Sequence, residues 1–180
     1  MAKLNKLITY AYLREEVDIP QNIPEQEVEH PIYRAQEMLR MLMCDEFYQD
    51  FLSKYLVSSA TPFSSAYTSL FPYIKQFLAW QSYEYWIIKA NFKPTRSGFR
   101  VHSEENSVAA SDVQMSTLIK DAKTTAQYYK KLMIDFISGN PTNYPLYCGD
   151  CSGKNTGNGF HISAVKNKHR EDCKCSRCRC

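Results

Sequence analysis

The first 147 residues of this 180-residue chain hold a single cysteine, Cys44. A body with one thiol cannot be stapled by internal disulfides, so its fold must rest on packing. No run of 18 apolar residues occurs, so no membrane-spanning helix is expected. The opening "MAKLNKLITYAYLREE" has no apolar stretch before charge returns at Arg14, so no secretory leader is expected either. The six glycines form neither a P-loop nor a dinucleotide motif, and GxSxG and HExxH are missing. The expectation is a protein that is not an enzyme. An excess of one charge is also missing from residues 1–147, where 15 Lys/Arg meet 16 Asp/Glu. Nothing in that balance marks the body as a nucleic-acid binder.

Hydrophobic residues make up 44% of the chain, enough for a globular core. A body of about 140 residues hides roughly two-thirds of its surface on folding. The pattern is mainly α, a helical bundle. "NKLITYAYLREEV" reads as a short helix or a docked extended arm, and Pro20, Pro24 and Pro31 then break regular structure. Pro31 suits the first turn of a helix. Ile32, Ala35, Leu39, Leu42 and Met43 form one apolar stripe at helical spacing. A break is expected near Cys44–Asp45, with Asp45 as N-cap of a segment bearing Phe47, Phe51 and Tyr55.

The span 63–92 is rich in aromatics on nearly every side, which predicts burial on several faces. Pro72 predicts a kink or a fresh start there. Base stacking is the competing reading of these aromatics. Lys75 and Lys89 are the sole cations between Phe71 and Ala90, so core or interface packing is favoured. Residues 93–107 lose the helical period and read as an extended loop or hairpin around Gly98. The last helix opens with a capping box at Ser111 and Gln114 and closes at Gly139. Its stripe is Met115, Leu118, Ala122, Ala126, Tyr129, Met133 and Phe136, of which Leu118, Ala122, Tyr129 and Phe136 are expected to face Ile32, Leu39 and Leu42. Cys44 reads as a buried structural thiol, and His30 and His102 as surface or capping residues.

Residues 1–140 thus form one helical domain, and 141–180 a Cys-rich C-terminal tail. The tail from Cys148 carries seven cations against three acids, so it suits an acidic partner. Cys148, Cys151, Cys175 and Cys178 form two CxxC units, and such spacing brings thiolate pairs to one tetrahedral zinc ion. Cys173, Cys180, His161 and His169 are substitute ligands. A tail without metal, tethered on a neighbour, is the other reading. A thioredoxin-like use of CxxC needs an α/β fold that this pattern does not supply.

Four stretches in order carry a resemblance: "LITYAYLREEVDIPQNI", "PIYRAQEMLRMLMCDEFYQDFLSKY", "LFPYIKQFLAWQSYEYWIIKANFKPTRSGFRVHSEENSVAAS" and "DVQMSTLIKDAKTTAQYYKKLMIDFI". They include a helix with an Ala-Gln pair, an aromatic helix and a long helix with paired tyrosines. This set resembles the small helical head–tail connector proteins of tailed bacteriophages, in the form found in phages of Bacteroidetes hosts, including crAss-like phages. The resemblance runs from about Leu4 to Ile137 and leaves out the cysteine tail. It implies a structural virion protein, assembled in the host cytoplasm, that forms a ring beneath the portal, usually of twelve copies. Its implied partners are itself, the portal and downstream tail proteins, with double-stranded DNA passing through the channel. On that reading Arg96, Phe99 and Arg100 contact a neighbouring subunit. Lys166, Lys168 and Arg170 of a zinc-held tail meet an acidic surface. The alternative function is a zinc-dependent nucleic-acid-binding regulator.

Overall fold

The computed structural model describes residues 6–20, 22–57, 64–95, 98–101 and 112–147. Its helices are α1 (Tyr10–Glu16), α2 (Glu25–Met43), α3 (Asp45–Val57), α4 (Ser65–Asn91) and α5 (Asp112–Gly139). A hairpin, β1 (Phe92–Thr95) and β2 (Gly98–Val101), leaves the C-terminal end of α4. Its strands pair antiparallel, with Phe92 opposite Val101 and Thr95 opposite Gly98. The chain is a mainly α helical bundle with a hairpin excursion, as its periodicity predicts.

Helix α4 is the centre. It packs along α2 on one side and along α5 on the other. Leu70, Ile74, Phe77, Leu78, Ala79, Ser82 and Ile87 are all buried. A helix with two flanking neighbours and an N-terminal arm has few sides left for polar residues. The aromatics therefore sit in the core, as expected. Both neighbours run antiparallel to α4. Lys89 reaches Glu27 while Phe51 meets Tyr67, and Tyr73 stacks on Phe136 with ring centroids 4.8 Å apart.

This layering corrects the expected pairing of the α2 and α5 stripes. Ile32, Leu39 and Leu42 are buried, but they face α4 rather than α5. The α5 stripe packs on the opposite side of α4. Leu118, expected inside, is 41% exposed at the open end of that contact.

The N-terminal residues make both an arm and a helix. Leu7 and Ile8 are buried in the arm. Thr9 then caps α1, accepting from the Tyr12 N–H at 3.2 Å. The arm is held by Gln36 of α2, whose Oε1 accepts the Leu7 N–H at 2.9 Å in the interior.

Pro20 and Pro24 lie between helices as expected, whereas Pro31 departs from its expected place. Helix α2 begins at Glu25 after Pro24, so Pro31 lies inside it rather than in its first turn. Pro31 has no N–H for the Glu27 carbonyl four residues back. The Lys89 ammonium donates to that carbonyl instead, at 3.2 Å. Helix α4 runs through Pro72, so of the kink or fresh start expected there the fresh start is not found. The expected break at Cys44 is present: Cys44 has φ 63° and separates α2 from α3. Asp45 falls in the first turn of α3 rather than before it.

Helix α5 stops at Gly139, as expected, with the Asn140 amide donating to the Phe136 carbonyl at 2.8 Å. The packed structure goes on to Tyr147, beyond the boundary at 140. Tyr144 is buried, and its hydroxyl donates to the Ala66 carbonyl at 2.6 Å. Its ring meets Phe47 edge-on at 6.0 Å. Residues 141–147 thus belong to the body rather than to the appendage.

Candidate interaction surface

Helix α5 has 28 residues and one extensive neighbour, α4. Its inner line is Ala122, Ala126, Met133 and Ile137, all buried. The opposite line, set by the 100° turn per residue, is Val113, Lys120, Thr124, Tyr128 and Lys131. Val113 is 74% exposed and Tyr128 58%. Lys120, Lys123 and Lys131 are exposed, and none forms an ion pair among the described residues. A long helix that shows an aromatic, an aliphatic and unpaired cations to solvent has the mixed character of a protein interface.

The opposite flank is α2 continued by α3. Its charges are partly spoken for. Lys6 lies 2.9 Å from both Glu25 and Glu29, and these hydrogen bonds, Glu29 first, raise its pKa. Arg40 donates to Asp45 at 2.6 Å and lies 3.8 Å from Glu37. The Arg40 guanidinium holds the Asp45 carboxyl below the usual range. Asp50 pairs with Lys54 at 2.7 Å and accepts the Tyr67 hydroxyl. Burial pushes Tyr67 up, and that hydrogen bond adds to it. Glu27 has no ion pair among the described residues, and Met41, at the other end of α2, is 65% exposed.

Between α1, α4 and α5 lies a cleft of about 240 Å³. Trp80, Tyr83 and Leu118 line it, with Glu15, Asp18 and Asp121 around them. Burial, with Glu16 beside it, pushes the nearby Tyr12 phenol up to about 12.

Cys44 is buried at the α2–α3 junction, as expected for a structural thiol. His30 is exposed on α2, as expected. Phe99 and Arg100 lie on β2, so the hairpin does carry them. Arg96, Ser111 and His102 lie outside the described residues. So do the proposed zinc ligands Cys148, Cys151, Cys175 and Cys178 and the tail cations Lys166, Lys168 and Arg170. Among the described residues no group of three or more His, Cys, Asp or Glu is placed to hold a metal. No helix among them is long and apolar enough to cross a membrane. Sequence reading missed the outward line of α5. Its signal was available in Val113 and Tyr128, apolar residues on the side of the wheel opposite the stripe.

Searches of curated proteins and of solved structures return no match. A family model matches residues 39–157, which take in α3, α4, the hairpin, α5 and the first CxxC unit. That model is described as a family of unknown function, DUF6712, and with most of its length matched the chain belongs to this family.

Proposed function

We propose that the protein is a structural subunit of a phage neck. It forms a ring beneath the portal, joins capsid to tail and extends the channel for double-stranded DNA. The ordered resemblance of its four segments to head–tail connectors gives the reading its specific content. The observation that carries it in the structure is α5, which among the described residues packs chiefly on α4 and shows Val113, Tyr128, Lys120, Lys123 and Lys131 to solvent. Lateral contacts of this kind close rings when the two faces differ. The hairpin at the end of α4 supplies a second contact, through Arg96, Phe99 and Arg100, to another subunit. The site of action is the virion neck, after assembly in the host cytoplasm.

The tail is assigned to a clamp. Cys148, Cys151, Cys175 and Cys178 hold zinc, and Lys166, Lys168 and Arg170 meet an acidic face of the portal or adjacent ring. A segment with so few apolar residues has no core of its own. Structural zinc contributes on the order of 10 kcal/mol to ordering such segments. Metal analysis of the purified protein should find stoichiometric zinc, lost when the four cysteines become serine. Its absence from the wild type removes the clamp.

The ring itself is tested by mass photometry and negative-stain imaging. The protein is imaged alone and with the portal protein encoded in the same genome. Rings of about twelve copies are expected. Monomers under both conditions remove the reading. Replacing residues 93–107 with a short Gly/Ser linker should preserve folding and impair assembly.

A further inference from the structure

With α4 in the middle, the body has two outer flanks, and they differ in charge. Helices α2 and α3 carry seven carboxylates and three cations, while Glu15, Glu16 and Asp18 of the α1 segment lie in the cleft beside α5. Helix α5 carries four lysines and three aspartates, and Lys120 and Lys131 stand on its outward line. On α2 the exposed side holds Glu27 near its start and Glu37 and Met41 further along, with Arg34 between the glutamates turned onto the Tyr85 ring.

We infer that the α5 flank of one copy docks on the α2–α3 flank of a second copy, with Lys120 and Lys131 meeting Glu27 and Glu37. The inference rests on the ring reading and adds which faces meet.

Direction supports the pairing. Helices α2 and α5 both run antiparallel to α4, so they run parallel to each other. Spacing supports it too. Ten residues separate Glu27 from Glu37 and eleven separate Lys120 from Lys131, about 15 and 16.5 Å at 1.5 Å per residue.

Height is the third argument. Glu27 is level with Lys89, and Arg34 sits 4.2 Å over the Tyr85 ring. Across α4, Tyr73 stacks on Phe136, and Tyr83 lines the same cleft as Ala122. Continuing that antiparallel register puts Lys120 beside the last turns of α4, within about one helical turn, 5.4 Å, of the level of Glu27. Rotation about an axis along the helices then joins the two flanks without axial slip. The result is a closed ring rather than a spiral.

Exposed apolar groups lie along the same flanks: Tyr128 falls between Lys120 and Lys131, while Val113 and Met41 extend the contact beyond the charged span at its opposite ends. A two-fold pairing of identical flanks would set lysine against lysine and is disfavoured.

The test uses two full-length double variants. Lys120→Glu with Lys131→Glu makes both flanks acidic. Glu27→Lys with Glu37→Lys makes the opposing flank basic. All four positions are exposed, and circular dichroism checks that each variant folds. Under the conditions that assemble the wild type, each variant alone should lose about tenfold or more of its assembled fraction, since like charges now oppose. An equimolar mixture should restore wild-type particles by alternating the two. High salt should weaken the wild-type ring and the mixed ring alike. Wild-type-sized rings from either variant alone, or no recovery on mixing, overturn this interface and leave the ring reading standing. A wild type that never forms rings overturns both.

Discussion

Gln36 shows how one polar side chain places a whole segment. It lies in the interior of α2, only 1% exposed, where an amide is costly unless its hydrogen bonds are made. Its oxygen takes the Leu7 N–H, and its side chain also bonds Tyr48. Ala35 beside it is fully buried, so the Ala-Gln pair supplies close packing and an anchor at successive positions. Gln36→Leu keeps the volume and strands the Leu7 N–H. It should cost about 1–3 kcal/mol, read as a lower melting temperature and faster exchange of the arm amides. The pair was visible in the sequence but its role was not, because the partner lies 29 residues away in a segment without periodicity. Phe136 carries a second lesson. The apolar stripe marks it as core, yet it is half-buried, stacked on Tyr73 at the edge of the α4–α5 contact. Phe77, almost fully buried in α4, should cost about 3–5 kcal/mol when cut to alanine, and Phe136→Ala distinctly less. Equal losses in denaturant melts would contradict this ranking.

At the scale of elements, the helices were legible and their partners were not. A stripe on α5 tells that one face is buried, and nothing in its period says whether α2 or α4 covers it. The better clue was α4 itself, whose apolar residues spread around most of the helix and so require neighbours on both sides, its exposed Ser65, Thr68 and Ser69 being gathered in the first turns. The stretch 141–147 was misplaced for a different reason. The helical period closes at Gly139, while the docking of Tyr144 on Ala66 spans 78 residues. Proline inside α2 is a further case. The Glu27 carbonyl that Pro31 leaves without a backbone donor is served by Lys89 from another helix. Lys89→Met should therefore destabilise by up to about 1 kcal/mol, as for a typical exposed hydrogen bond. In a Pro31→Ala background, where the backbone N–H returns, that cost should shrink towards zero. A double-mutant cycle with no coupling between the two positions would reject the account.

For the whole molecule, the distribution of tyrosine sets the response to alkali. Burial, the leading cause in each case, raises Tyr12, Tyr48, Tyr67, Tyr83, Tyr85 and Tyr144. A phenol whose folded pKa exceeds its unfolded value of about 10 holds its proton in the native state. Its contribution to stability is complete below that unfolded value and is lost as pH rises through the folded pKa. The melting temperature should thus fall steeply above about pH 10, with phenolate absorbance appearing together with loss of helix. Gradual phenolate formation with the helices intact would count against it. The seating of Tyr144 has a consequence of another kind. It fixes one exit of the described chain, at residue 147 next to Phe47 and the start of α4, whereas the hairpin exit lies at the other end of that helix. The 27 residues of α4 set these exits about 40 Å apart, at 1.5 Å per residue. The body is therefore a ruler. Two heptads added to α4 alone would destroy its ring-to-ring register with α2, α3 and α5. Five whole turns, 18 residues, added in step to α4 and both flanks would carry the two exits about 27 Å further apart and keep every packed face in its direction.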